Sequence, residues 1–311
     1  MTPEMLDVVT VIANPMRWES RMRLAREFID RMLAAGVRLT VVECAIGARP
    51  HELDGIPGVR HVGVRARGNR LAWSKESMLN AGIARLPDDA RFVACLDADI
   101  RFRDPAWAER TVDALHLWPV VQPWSDCIDL GPDGQLLDTH RAFCRLANEQ
   151  KPIVQGPNAA GGYRFGHPGF AWAYTMDFLN RVGGLVDTAA LGAADHHMAL
   201  ALLGRVADSI PGNLTDGYKA PLYAWQERAV RAAEKSVGFL DGVIEHDWHG
   251  RKGRRFYISR WEILSKHAFD PTTDLIRNAD GVVELAGNKP GLRHDVERYF
   301  WSRKEDDRDL D

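Results

Sequence analysis

Two carboxylates stand one residue apart at the end of an apolar run, Asp97 and Asp99 in ARFVACLDADI (90–100). Carboxylates at i and i+2 on a strand leaving its sheet can reach one small volume if the chain bends there. Such oxygen ligands suit a hard divalent cation. Mg2+ in particular is commonly held by one or two carboxylates together with substrate phosphates. A cation in that position neutralises a diphosphate and lets it depart. The plain alternative is a solvated pair at a turn, and short motifs often mislead. The apolar run before the pair and the helix start after it weigh against that alternative.

Three further stretches carry chemistry-bearing residues. In VIEHDWHGRKGRR (243–255), His246 and His249 follow an apolar run at a spacing of three, and a basic run starts at Arg251. Imidazole suits Mn2+ and the later transition metals, so a mixed Asp/His site fits Mn2+ or Mg2+. The basic run can hold phosphate oxygens. A bland surface loop explains the same residues. In GAADHHMA (192–199), Asp195 opens an otherwise apolar helix beside His196 and His197. It is either a helix cap or a general base that takes a proton from a bound hydroxyl. In GHPGFAWAY (166–174), His167, Phe170 and Trp172 form a loop able to stack on a sugar ring, or else aromatic core.

The elements that must position these residues are legible from periodicity. LDVVTVIAN (6–14), VRLTVVECAIG (37–47), GVRHVGVRA (58–66) and ARFVACLDADI (90–100) read as strands. ESRMRLAREFIDRMLAAG (19–36) places Met22, Leu24, Ala25, Phe28, Ile29, Met32 and Leu33 at helical spacing and closes on Gly36. WSKESMLNAGIARLP (73–87) reads as a helix, and DPAWAERTVDALHLW (104–118) as another with Asp104 as its N-cap. Alternation of this kind predicts an α/β fold with a mostly parallel sheet flanked by helices. Ligands bind beyond the carboxyl ends of such strands, where Asp97 and Asp99 fall. After Pro119 the chain turns to short strands, turn signals and a Gly-, Pro- and aromatic-rich stretch (151–185). AADHHMALALLG (193–204) reads as a short buried helix, and the remainder, to RKEDDRDLD, reads as a wrapping extension with a frayed acidic tail.

With 311 residues, 45% of them apolar and 27% charged, the chain has ample material for a core. A net charge of -3 argues against bulk electrostatic binding to nucleic acid, although a local basic patch escapes that count. The four cysteines are far apart with no Cys-x-x-Cys, and Cys44 and Cys95 sit in apolar strand-like runs. This predicts a reducing compartment and no structural zinc. No signal-peptide pattern or apolar run of spanning length occurs, so the expectation is a cytoplasmic protein without a membrane segment.

Taken in order, these motifs resemble glycosyltransferases of the GT-A fold, in the style of the family 2 and galactosyltransferase-like enzymes, over roughly residues 6–260. The resemblance implies a nucleotide-sugar binding half (1–120), an acceptor and catalytic half of the same domain (121–250), and a basic loop, helix and C-terminal extension (251–311). CLDADI resembles the family's D-x-D, which implies Asp97 near the donor's ribose or metal and Asp99 as a metal ligand. NPMRWESR lies where the first donor loop falls, implying Asn14, Pro15 and Arg17 as donor contacts, and KESMLNAGI implies Lys75 and Asn80. VIEH resembles the late strand whose His completes the metal shell, here His246, with Arg251 beyond it on the donor. VGGLVDTAALGAADHHM resembles the acceptor segment in which Gly-Gly precedes an acidic pair. Here that pair reads Ala194-Asp195, which leaves Asp195 as the candidate base and the place of the second acid open, with His196 and His197 as candidates to fill it. His167, Phe170, Trp172 and His196 then face the acceptor.

The implied activity is metal-dependent transfer of a sugar from a nucleoside-diphosphate sugar, a UDP-sugar favoured, to an acceptor hydroxyl with inversion. DHHMALALLG and HDWHGRKGRRFYISRW are also similar to glycosyltransferase-like proteins of bacteriophages. That similarity adds a hydroxymethylated DNA base to small molecules and glycans as acceptors, and a host cytoplasm as location. Two other readings stand beside this one. A nucleotidyltransferase acting on sugar phosphates shares the layout but expects a Gly-rich loop after the first strand, which ANPMRWESRM lacks. A non-catalytic sugar or nucleic-acid binding module would use Arg17, Arg21, Arg60, Arg65, Arg67, Arg70 and the 251–255 run as a basic face.

Overall fold

The computed structural model describes residues 4–157, 163–255 and 259–309. Strand β1 (Leu6–Ala13) is buried at every position but Val11, as expected of a strand covered by helices on both sides. Helix α1 (Glu19–Ala34) buries Leu24, Ala25, Phe28, Ile29 and Met32, while Met22 and Leu33 pack at the margin. β2 (Arg38–Ile46), β3 (Val59–Ala66), α2 (Lys75–Ile83) and β4 (Phe92–Leu96) complete the alternating unit. β1 pairs in parallel with β2 and β4, and β2 with β3.

The fourth strand is shorter than its sequence pattern predicts. It stops at Leu96, residues 97–99 turn, and β5 (Ile100–Phe102) opens a second sheet. Helix α3 (Trp107–Leu115) starts later than predicted, with Ala106 in the N-cap position. Asp104 acts two residues earlier, where its Oδ1 accepts from the Ala106 N–H at 2.9 Å. The chain continues through β6 (Val120–Gln122), β7 (Asp126–Leu130), β8 (Leu136–Arg141), α4 (Phe143–Asn148), β9 (Val154–Pro157) and β10 (Tyr163–Phe165). β11 (Ala171–Thr175), α5 (Met176–Val182), α6 (Ala194–Leu202), α7 (Asp216–Ala233), β12 (Gly238–Phe239) and β13 (Val243–His246) follow. The last part holds α8 (Ser259–Lys266), α9 (Pro271–Asp274), β14 (Leu275–Arg277), β15 (Val283–Leu285) and α10 (Pro290–Ser302).

The central sheet has seven strands in the order β12-β6-β11-β4-β1-β2-β3. Only β11 runs antiparallel to its neighbours in it, pairing with β4 on one side and β6 on the other. Successive residues of a strand point to opposite faces, and the core divides accordingly. Val8, Leu39, Val41 and Ala94 join Phe28, Ile29 and Leu115 on the α1/α3 side. Val9, Val42, Val64 and Cys95 join residues of α2, α5, α6, α7 and α10 on the other. The second sheet has the order β5-β13-β7-β8. All four cysteines are buried. Burial pushes the Cys44 and Cys95 thiols up to about 12, so they pack as small apolar groups. No described helix is long and apolar enough to cross a membrane.

The tail expected to fray is docked through Asp309. Its acids find partners that the sequence pattern does not reveal. Arg21 holds Glu305 through Nε and Nη2 at 2.6–2.9 Å, and Asp306 accepts the backbone N–H groups of Glu19 and Ser20 at 3.0 and 2.8 Å. Trp18, the N-cap of α1, makes no side-chain cap bond, so the exposed donors of that helix end are satisfied from the far end of the chain.

Candidate metal centre and active site

Register explains how the second sheet assembles the site. His246, the last residue of β13, lies opposite Ile100 on β5 and opposite Asp129 on β7. Its neighbour Asp247 donates its N–H to the Asp99 carbonyl at 2.7 Å and pairs with Arg101. The turn bearing Asp99 is thereby stitched to the strand end bearing His246.

Three side chains then converge. His249 Nε2 lies 3.1 Å and His246 Nε2 3.8 Å from Asp99 Oδ2, and the two imidazole nitrogens are 3.2 Å apart. One ligand atom from each lies within 4.8 Å of the others. Asp99 Oδ1 is buried and has no hydrogen-bond partner among the described residues, a costly arrangement unless something else satisfies it. Burial works to raise the Asp99 carboxyl, but His246 and His249 outweigh it and hold the group well below the usual carboxylate range.

Behind His246 stands Asp129, 3% exposed. Its Oδ1 accepts from His246 Nδ1 and its Oδ2 from His140 Nε2, both at 2.7 Å. A carboxylate can only accept, so this network puts a proton on His246 Nδ1 and turns Nε2 toward Asp99 and His249. The donor set is two imidazoles and a carboxylate on one side of a small volume, backed by an orienting carboxylate. That set fits a divalent cation with open positions. Asp129 and His140 escape a sequence reading, because Asp129 sits in an ordinary strand, DCIDL. Its orientation shows only in the structure: the strand buries Cys127 and Asp129 and leaves Ile128 and Leu130 half-buried, so the carboxylate faces the wrong way for a solvated residue.

Asp97 stands outside the convergent set. Its Oδ1 receives Lys75 Nζ at 2.8 Å, and its N–H goes to the Phe170 carbonyl at 2.8 Å. Burial would lower the Lys75 ammonium, but the carboxylates of Asp97, Glu76 and Asp195 prevail and hold it above its ordinary range. Lys75, Glu76, Asp97, Gly169, Phe170, Trp172 and Asp195 all line one cavity of about 20 Å³, room for a water molecule. Glu76, 3% exposed, is a member that the sequence reading missed. Burial pushes its carboxyl up to about 7.

Asp195 lies in the first turn of α6, after Ala193, whose backbone is left-handed (φ 73°) and makes no side-chain cap. A Cβ on Gly169 would come within 2.9 Å of the His167 ring and 3.2 Å of Asp195 Oδ2, so only glycine lets both side chains approach that backbone. Phe170 stacks on His167 (centroids 4.1 Å apart, planes 5°) and lies 4.8 Å from the His246 ring. It too holds a left-handed backbone, φ 74°, a strain that tends to collect at functional sites. Trp172 is buried and donates Nε1 to the Pro168 carbonyl at 2.6 Å. His196 is half-buried next to Asp195. His197 is locked in the core between Ser209 and Tyr218 at 2.7 and 2.9 Å, and burial pushes its imidazole down to about 3. His197 is therefore placed as packing, away from any exchange of protons with solvent.

The first-loop residues and Asn80 are occupied locally. Asn14 bonds Trp18 through both side-chain atoms at 2.9 Å, Pro15 is buried, and Arg17 is exposed with a left-handed backbone, φ 61°. Asn80 donates to the Leu185 carbonyl and accepts from the Leu185 N–H at 2.9 and 2.8 Å, clamping the Gly-Gly segment. Arg251 meets Asp309 and Asp307 of the tail. Arg60 and Arg65 donate to backbone carbonyls.

No family model matches the sequence, and no curated protein matches it. Solved structures do resemble its fold. The catalytic domain of Drosophila β1,4-galactosyltransferase 7, in complex with xylobiose, aligns at 13% identity over 66% of this chain and 61% of that one, with a TM-score of 0.34. The chain thus spans about six-tenths of that structure's length. TarS of S. aureus aligns at 10% identity over 84% of this chain and 40% of its own, TM-score 0.43. The 4-diphosphocytidyl-2C-methyl-D-erythritol synthase of Anaerococcus prevotii aligns at 11% identity over 77% and 88%, TM-score 0.35. These are likenesses of fold; the functional argument rests on the site.

Proposed function

We propose that this protein is a metal-dependent glycosyltransferase, moving a sugar from a nucleoside-diphosphate sugar, a UDP-sugar favoured, to an acceptor hydroxyl. The observation that carries the reading is the convergence of Asp99, His246 and His249, with Asp129 fixing the His246 tautomer. A cation held there supplies charge neutralisation to a departing diphosphate. Two imidazoles beside one carboxylate favour Mn2+ over Mg2+.

The chain's own residues divide the remaining work. Lys75 and Asp97, paired at the end of β4, bind and orient the donor's ribose side. Asp195, on the same cavity, takes the proton as the acceptor oxygen bonds to the anomeric carbon and the bond to the diphosphate breaks. Attack from the face opposite the diphosphate inverts the anomeric centre, through a transition state of oxocarbenium character. His167 and Phe170 form the wall between the base and the metal ligands and orient the acceptor, with His196 at its edge.

A nucleotidyltransferase reading is less favoured, because the loop after β1 is closed by Asn14 and Trp18 and contains no glycine to cradle phosphate. Calorimetric titration with UDP and GDP, with Mn2+ and then with EDTA, tests the reading. Metal-dependent binding lost in Asp99→Ala supports it. Binding indifferent to EDTA would sink it in favour of a non-catalytic binding module.

A further inference from the structure

The C-terminal extension lies where a donor would have to enter. Open α/β sheets bind ligands beyond the carboxyl ends of their strands. In this chain the ends of β1, β2 and β3, at Ala13, Cys44, Ile46 and Ala66, are roofed by Val283 and Phe300. The cavity left beneath them is about 20 Å³, enough for a water molecule and far short of a nucleobase. Phe300 of α10 packs on Trp73, with ring centroids 6.1 Å apart.

The tail beyond α10 carries this cover on toward the metal ligands. Glu305 is 2% exposed and held by Arg21 and Arg303. Against the effect of burial, these arginines hold its carboxyl down at about 2. Its backbone lies against Gly250, the residue after His249. A Cβ on Gly250 would come within 3.0 Å of the Glu305 Cα and the Lys304 carbonyl, and the glycine's φ is +87°. Trp248 donates Nε1 to the Asp307 carbonyl at 2.8 Å. Asp307 also faces Arg251 and Arg254 at 3.8 and 3.3 Å, and Asp306 takes two N–H groups at the N-terminus of α1.

Four successive elements of anion recognition are therefore engaged by one run of acids: Arg21, the α1 N-terminus, Arg251 and Arg254. Guanidinium groups and helix N-termini are also what binds a diphosphate. We propose that residues 303–309 are a self-ligand: their carboxylates occupy an anion site built for a diphosphate, and donor binding requires the tail to lift. The proposal rests on the donor reading above for the identity of the diphosphate. The tail and the diphosphate compete, so apparent affinity is scaled by the fraction of chains with the tail lifted.

The test compares the full chain with the double variant Asp306→Asn/Asp307→Asn, and with a chain ending at Ser302. The double variant keeps Glu305 and its buried pairing, and its helicity by circular dichroism is the folding control. Binding of inorganic pyrophosphate with Mn2+ is measured by calorimetry, and of UDP with Mn2+ alongside. The expected result is tighter pyrophosphate binding in the double variant by about tenfold or more, a change of about 1.4 kcal/mol, with the shortened chain at least as tight. Equal or weaker binding in the double variant overturns the proposal, as does no binding of pyrophosphate to any of the three. If UDP binds with metal and equally to all three, the donor reading stands and the self-ligand falls. If pyrophosphate tightens on the variants while UDP binds none, the self-ligand stands and the nucleotide-sugar reading falls.

Discussion

His246 and Asp129 meet at 2.7 Å, Nδ1 to Oδ1, across the parallel pairing of β13 and β7. The carboxylate does more than pack beside the ring. It decides which nitrogen carries the proton, and so whether Nε2 can serve as a ligand. Asp129→Asn should keep the shape and lose the charge. Mn2+ affinity should fall by about ten- to a hundredfold, as is usual for such outer partners of a ligating histidine. Unchanged affinity in a metal titration would mean that His246 is not a ligand.

Removing a ligand itself should be more severe. Asp99→Ala, His246→Ala and His249→Ala should each abolish metal-dependent UDP binding in chains that circular dichroism shows to be folded. His246→Ala should also lower the melting temperature, because it takes the His246 partner from the buried Asp129 carboxylate. Metal-dependent UDP binding retained by any one of the three variants in calorimetry would remove that residue from the ligand set.

Asp195→Asn should separate binding from chemistry. Transfer should drop by at least about a hundredfold, the lower range for loss of a positioned base, with the dissociation constant for UDP and Mn2+ almost unchanged. Loss of donor binding in that variant would remove Asp195 from the role of base.

Glu76 predicts a pH dependence of stability. Its carboxyl ionises near 7 in the folded chain and near 4.5 in the unfolded one, so between those values the folded state keeps a proton that the unfolded state has lost. Stability from this group is fully present below about 4.5 and is lost as pH rises through 7, by at most about 3 kcal/mol. Glu76→Gln cannot ionise. Its stability relative to the parent, from urea unfolding, should therefore improve as pH rises from 4.5 to 8. A flat difference would show that Glu76 is ionised throughout.

Asn80, expected to contact a donor, clamps Leu185. Asn80→Ala would leave the buried Leu185 backbone groups without these partners, and should cost about 1–3 kcal/mol of stability. An equal loss of UDP affinity at a temperature where the variant is folded would restore the residue to the donor site.

What the sequence revealed and what it hid follow from the range of the interactions. β1 to β4 and α1 are local patterns, and their apolar spacing is enough. Asp99 and His246 were legible because each ends an apolar run. Asp129 and Glu76 were not, because a buried carboxylate in a strand or helix looks like any other until its partner arrives from elsewhere in the chain. The tail was misjudged for the same reason: Arg21 and Glu305 are 284 residues apart, and composition alone reads RKEDDRDLD as solvated.

The reversed direction of β11 has a consequence for the metal ligands. Because it runs against β4, its first residue, Ala171, lies beside Leu96, and the chain segment that enters it arrives at the Asp97 turn. That segment carries Phe170, whose ring lies 4.8 Å from the His246 ring, so the entry to β11 sets what stands beside the metal ligands. A single-residue insertion between Gly169 and Ala171 would slip the strand and turn every side chain of β11 to the opposite face. The register of β11 and the position of Phe170 beside the His246 ligand are therefore fixed together.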